Sequence, residues 1–115
     1  MKVKLFRKDW EKFSNENQLL YMIGWFEFEE TIYNSSNVHK IYEYLKQLNF
    51  DEIIRFLKSI NGNYSLILIN EEEIFICADR LRTYPILYSI VEGGGFITDD
   101  VYKYKEENNL ELTLV

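Results

Sequence analysis

Short runs of apolar residues, several of them alternating with polar ones, recur along most of the chain and predict β-strands. At the start, Val3 and Leu5 alternate with Lys2 and Lys4, which is typical of a strand with one buried face. Residues 10–17 are mostly polar, so we expect a loop there. Further strands are predicted at residues 19–28, 31–33, 64–69, 74–78, 85–90, 96–98 and 110–114.

Two segments in the middle of the chain have the spacing of amphipathic helices. Over residues 38–48, apolar side chains recur at every third or fourth position, which predicts a helix with one buried face. A second helix is predicted after Asp51, its expected N-cap, with Gly62 as its expected C-terminal glycine. Asp99 or Asp100 could begin a short further helix.

The order of these elements predicts the fold class. Strands come first, then two helices, then a meander of strands, which favours an α+β fold with antiparallel sheets and two helices over alternating βαβ units. With 115 residues, we expect a single domain over 1–115. Within the meander, we expect Pro85, Leu87 and Tyr88 to form a buried core strand that pairs near residues 64–69 and 74–78.

Composition narrows the set of partners. The net charge of −6 argues against nucleic acid, because phosphate binding needs concentrated lysine and arginine. No apolar run approaches the roughly 20 residues of a membrane-spanning helix, so we expect no membrane partner. The only cysteine, Cys77, suits the reducing cytoplasm. No phosphate-loop, dinucleotide or metal-ligand spacing occurs, so no cofactor or metal is expected.

Three segments follow a pattern known from one enzyme family. Residues 61–69 read N-G-N-Y-S-L-I-L-I, residues 77–88 read C-A-D-R-L-R-T-Y-P-I-L-Y, and residues 95–100 read G-F-I-T-D-D. They resemble the motifs L-x-G-x-F-A/S, R-D-x-x-G-x-x-P-L-Y-Y and G-x-x-F-A-S-E of the N-terminal class II glutamine amidotransferase domain of asparagine synthetases. The resemblance implies a reduced N-terminal nucleophile hydrolase-like sandwich. Within the second motif, Arg82 takes the place of the usual glycine.

The residues that carry the family's chemistry are missing. The family attacks glutamine with a cysteine directly after the initiator methionine, where this chain has Lys2. Its N-G-E-I-Y-N motif supplies oxyanion donors, and laying T-I-Y-N (31–34) on its end places Glu29 and Glu30 where Asn-Gly stands. Cys77 lies in an apolar strand, where a cysteine is usually a small, unreactive side chain. We therefore expect no glutaminase activity.

The resemblance implies a degenerate, truncated amidotransferase-like domain. We expect it to dock on or regulate an asparagine-synthetase-like adenylating (ATP-pyrophosphatase) domain, in cis or in trans, because residues 1–115 contain no ATP-pyrophosphatase motif. Two alternatives stay open: a homo-oligomeric interaction module, and an enzyme with an unrecognised site around Asp79, Arg80 and Arg82. Aromatic residues mixed with arginine are typical of interfaces. The expected interaction or ligand surface comprises Asp79, Arg80, Arg82, Tyr84, Tyr102 and Tyr104.

Overall fold

The computed structural model describes residues 2–71, 73–91 and 94–108. Eight strands and three helices lie within these residues, so the chain has a mixed α+β fold. The elements in chain order are β1 (Lys2–Lys4), β2 (Glu11–Ser14), β3 (Gln18–Phe28), β4 (Thr31–Tyr33), α1 (Val38–Leu45), α2 (Phe50–Ser59), β5 (Asn61–Asn70), β6 (Ile74–Ala78), β7 (Leu87–Val91), β8 (Gly94–Thr98) and α3 (Val101–Asn108).

The chain divides into two compact units. The larger unit is Asp9–Tyr84, and the smaller unit combines Met1–Lys8 with Pro85–Val115. Each unit has its own sheet, and each is described by itself below. The predicted strand at 110–114 lies outside the described residues.

The larger unit is a five-stranded antiparallel sheet with two helices on one face. The strand order is β2-β3-β5-β6, and β4 pairs with β3. The longest pairing joins β3 to β5, from Gln18 opposite Asn70 to Glu27 opposite Asn61. The sheet and the two helices share one core, whose most buried side chains are Leu20, Phe26, Val38, Leu45, Leu66 and Leu68. Both helices therefore bury the apolar face that their amphipathic spacing predicted.

Helix α2 begins two residues earlier than predicted. Asn49 is the N-cap, and its side chain accepts a hydrogen bond from the Glu52 backbone nitrogen at 2.9 Å. The Glu52 side chain accepts one from the Asn49 backbone nitrogen at 3.0 Å, which completes a capping box. Asp51, the predicted cap, instead lies in the first turn of the helix, where its negative charge complements the helix dipole.

Two local predictions in the larger unit were wrong. Residues 10–17 contain strand β2, which pairs with β3, and Phe13 packs on the core. Gly62 does not end α2, because Ile60 is already extended and Gly62 lies inside β5. A Cβ atom there would lie 2.3 Å from the Trp25 carbonyl oxygen, so close backbone approach explains this glycine.

The smaller unit is a three-stranded mixed sheet with one helix. The strand order is β1-β8-β7; β1 runs parallel to β8, and β7 runs antiparallel to it. Helix α3 is anchored by Tyr104, whose ring stacks on Phe96 with 4.3 Å between ring centroids. The sequence prediction named two helices and a possible short third, and the third is present.

The prediction of a buried core strand at 85–90 was wrong. β7 pairs with β8 and not with β5 or β6. Leu87 and Tyr88 are 42% and 59% exposed, and Pro85 is exposed. An apolar run predicts a strand, but it does not distinguish a central strand from the last strand of a small sheet.

Candidate functional site

The charged residues singled out in the sequence lie at a tight bend after β6, here called the Asp79 corner (residues 79–84). Asp79 is 8% exposed. One carboxylate oxygen accepts a hydrogen bond from the Thr83 backbone nitrogen at 3.0 Å, and the other accepts one from the Thr83 hydroxyl at 2.6 Å. The Arg82 backbone nitrogen donates to the Asp79 carbonyl oxygen at 3.2 Å. The carboxylate thus holds the bend in shape.

The corner is also bonded to the start of β5. The Asp79 backbone nitrogen donates to the Tyr64 carbonyl oxygen at 3.1 Å. The Asn63 side-chain amide satisfies its neighbours only with its nitrogen toward Asp79, to which it donates at 3.3 Å. Three donors therefore surround this carboxylate, so its charge is compensated locally. Thr83 and Asn63 had no sequence signal beyond their spacing from Asp79, and the sequence analysis missed both.

Arg82 has a backbone conformation that favours glycine. Its φ is 50°, in the left-handed region where an L side chain is strained. After it, the Tyr84 carbonyl accepts a hydrogen bond from the buried Ser65 hydroxyl. The Tyr84 ring lies against Gly24, where an added Cβ would come within 2.7 Å of it. The corner is thus fixed at both ends to the sheet of the larger unit.

The side chains between these anchors point to solvent. Arg80 and Arg82 are exposed, and Leu81 is 82% exposed. Neither guanidinium forms an ion pair with any residue that the structure describes. The corner therefore exposes two arginines that pair with no acid among the described residues, while the Asp79 carboxylate is hydrogen-bonded within the bend.

A groove of about 300 Å³ lies beside the corner, between the end of α2, the start of β5 and the end of β6. Lys58, Cys77 and Arg80 are among its lining residues. The Cys77 sulfur lies 3.4 Å from the Tyr64 hydroxyl oxygen. Burial, and then the contact with Cys77, raise the pKa of Tyr64 well above its ordinary value. A tyrosine hydroxyl that keeps its proton does not serve as a base for the neighbouring thiol.

The two tyrosines predicted for the same surface belong to the smaller unit and differ from each other. Tyr102 is 66% exposed on α3, whereas Tyr104 is 7% exposed and packs on Phe96. The prediction that Tyr104 contributes to a surface therefore fails, because its ring is part of the core of its unit. Of the six predicted residues, Arg80, Arg82 and Tyr102 are exposed, Tyr84 is half-buried, and Asp79 and Tyr104 are buried.

The position where the resemblance requires a nucleophile has a packing role. The Lys2 ammonium donates to the Asn108 side-chain oxygen at 2.9 Å. It also lies 5.6 Å from the centroid of the Tyr104 ring. Lys2 therefore ties β1 to α3 and offers no group that attacks a carboxamide.

The turn at Glu29 and Glu30 has an unusual backbone for its sequence. Phe28 pairs with Thr31, so the hairpin between β3 and β4 has a two-residue loop. The φ values of Glu29 and Glu30 are 50° and 65°. Positive φ at both central residues is the mark of a type I′ turn, for which Asn-Gly is the preferred pair. Both glutamates are exposed.

Other kinds of site lack support in the described part of the chain. No group of three or more histidine, cysteine or acidic residues there could hold a metal ion. No helix within those residues is long and apolar enough to cross a membrane. Comparison of the chain with protein-family models, curated proteins and solved structures finds no match in any of the three. Function is therefore inferred from the residues and backbone of this chain itself.

Proposed function

We propose that this chain is a non-catalytic, reduced glutamine amidotransferase-like domain that docks on or regulates an asparagine-synthetase-like adenylating partner, in the same chain or a separate one. The observation that carries the proposal is a pair of backbone conformations. Arg82 and the pair Glu29-Glu30 stand at motif positions where the family has glycine or Asn-Gly. All three residues have the positive φ values that favour glycine or asparagine.

The first position is Arg82. In the pattern D-x-x-G-x-x-P, beginning at Asp79 and ending at Pro85, Arg82 takes the place of the glycine. Its left-handed φ is the conformation for which a glycine would be selected. This agreement between motif and backbone supports the placement of the segment on the family pattern.

The second position is the turn at Glu29 and Glu30. A type I′-like loop there suits Asn-Gly, the pair that the family uses to bind the oxyanion. In this chain the two side chains at the turn are carboxylates. The turn geometry therefore supports the family placement. The residues at the turn argue against catalysis, because carboxylates repel a developing negative charge.

The remaining parts of the chain agree with a domain that has lost its activity. Lys2 takes the position of the nucleophile and packs against α3. Cys77 is half-buried and has a protonated tyrosine hydroxyl beside it. A reduced N-terminal nucleophile hydrolase-like sandwich belongs to the same proposal, and the presence of two sheets supports it. A cytoplasmic setting is also part of the proposal, and the single cysteine favours it.

The proposal predicts no glutamine hydrolysis. Incubation of the purified chain with glutamine should release ammonia no faster than a heat-denatured control, and Cys77→Ala should leave that background unchanged. Turnover that depends on Cys77 would overturn the non-catalytic half of the proposal. An enzyme centred on the Asp79 corner is disfavoured, because the Asp79 carboxylate is occupied by Thr83 and Asn63.

One observation favours a second candidate, a homo-oligomeric interaction module. Among the described strands β7 pairs only with β8, and its first two side chains, Leu87 and Tyr88, are exposed. An uncharged edge strand of this kind can pair with another chain. Light scattering across a concentration series distinguishes the candidates: a constant monomer mass rejects the module, whereas a dimer that Leu87→Lys dissociates supports it.

A further inference from the structure

The smaller unit has a positively charged face in an otherwise acidic chain. This cationic face consists of Lys2, Lys4 and Phe6 along β1 and its extension, together with Lys103 on α3. Lys2 contacts Asn108, and Lys4 lies 3.7 Å from the Glu107 carboxylate. Because both partners lie on α3, Lys2 and Lys4 project from the same side of β1 toward that helix.

Aromatic rings hold the ammonium groups of this face in place. The Phe6 ring has two of them near it, Lys4 at 5.5 Å and Lys103 at 5.9 Å from its centroid. The Lys2 ammonium lies 5.6 Å from the Tyr104 centroid. Positions within about 6 Å of a ring centroid are stabilised by cation–π attraction. The rings therefore favour positions of the three ammonium groups on this one face.

Two aspartates of the smaller unit, Asp99 and Asp100, accept hydrogen bonds from backbone groups. The Asp99 carboxylate accepts hydrogen bonds from the backbone nitrogens of Phe6 at 2.7 Å and Arg7 at 3.0 Å. Asp100 accepts two from the first turn of α3, from Tyr102 and Lys103 at 3.1 Å each. Lys103 forms no ion pair with any described residue. The lysine charges are thus only partly compensated.

The two units of the chain differ in net charge. By sequence, the smaller unit has six basic and six acidic residues and is neutral overall, whereas the larger unit has seven basic and thirteen acidic residues. The net negative charge of the chain repels an acidic molecule, so such a molecule gains favourable electrostatic contacts only where lysines cluster, as they do on the cationic face.

We propose that the cationic face is the surface through which the chain docks, and that it binds an acidic segment of the adenylating partner; this rests on the proposed function. Nucleic acid fits less well, because the face has only three lysines and the chain as a whole carries a net charge of −6. The exposed ring of Tyr102, next to Lys103 in α3, adds an aromatic group to the same segment.

The first experiment uses a probe that does not depend on the partner's identity. Decaglutamate, deca-thymidylate and a neutral glycine-serine peptide are titrated into the isotopically labelled chain, and backbone amide shifts are followed by NMR at low salt. Decaglutamate should shift the amides of Lys4, Phe6 and Lys103 and leave α1 unchanged, and about 0.3 M salt should abolish the shifts. Absence of these shifts, or tighter binding of deca-thymidylate, overturns the proposal.

The second experiment uses the purified adenylating protein and four chains: wild type, Lys4→Glu with Lys103→Glu, Lys4→Arg with Lys103→Arg, and Lys40→Glu as a control on α1. Charge reversal should weaken binding at least about tenfold, while the arginine and Lys40 variants bind within about twofold of wild type. Equal binding by all four refutes the cationic face and leaves the proposed function intact. Failure of the wild type to bind refutes the docking function. The decaglutamate titration then shows by itself whether the cationic face binds an acidic ligand.

Discussion

Replacing Arg82 by glycine should stabilise the protein, although it removes a whole side chain. Arg82 has a φ of 50°, and left-handed backbone costs an L residue about 1–2 kcal/mol. Glycine does not pay this cost, but it increases the entropy of the unfolded chain by about 0.5–1 kcal/mol. The exposed Arg82 side chain forms no hydrogen bond or ion pair with a described residue. The net expectation is a gain of about 0.5–1 kcal/mol.

Arg80 provides a matched control two residues away. It is also an exposed arginine of the Asp79 corner, but its φ is not positive. Arg80→Gly therefore gains nothing in the folded state and should cost about 0.5–1 kcal/mol. Arg82→Ala removes the charge but not the strain, so it should not stabilise.

Thermal and urea unfolding of the four proteins measures these differences. Arg82→Gly should raise the melting temperature by about 2–5 °C, and Arg80→Gly should lower it by a similar amount. Opposite signs at two neighbouring arginines are difficult to explain by charge or solubility. If Arg82→Gly destabilises as much as Arg80→Gly, the left-handed corner and the motif placement that depends on it are refuted.

Three further changes test other parts of the structure. Glu29→Asn combined with Glu30→Gly should raise the unfolding free energy by about 1–2 kcal/mol in urea, because both φ values are positive; a loss would refute the turn type. Gly24→Ala should cost about 3 kcal/mol or more, since its Cβ would lie 2.1 Å from the Asn63 carbonyl oxygen; a cost below about 1 kcal/mol contradicts this strand contact. Burial raises the pKa of Tyr64, so the folded chain keeps a proton that the unfolded chain loses above about pH 10. Stability should therefore fall as pH rises past about 10, and Tyr64→Phe should make that fall shallower; identical profiles would show that Tyr64 is accessible.

Periodicity predicted the elements whose pattern is long. The strand at 19–28 and the helix at 38–48 correspond to β3 and α1, because their apolar positions pack on one shared core. Strand β2 was missed because its four residues give only two alternations. The exposure of β7 was missed because an apolar run has the same pattern in a central strand and in an edge strand.

The candidate site shows what local sequence can and cannot decide. Tyr102 and Tyr104 lie two positions apart on α3, which places them on opposite sides of a helix, so only one could face solvent. That inference was available from the sequence and was not used. The carboxylate of Asp79 looked like a ligand-binding group, and only its tertiary contacts reveal that Thr83 and Asn63 occupy it.

A calorimetric titration of this chain with a purified asparagine-synthetase-like ATP-pyrophosphatase protein from the same organism tests whether the chain docks on such a partner. It should be followed by an ammonia assay of the mixture with glutamine. The proposed non-catalytic docking role predicts a saturable complex with a defined stoichiometry, weakened by salt, and no ammonia above background. Absence of binding at the highest soluble concentration, or glutamine hydrolysis that requires this chain, would contradict it.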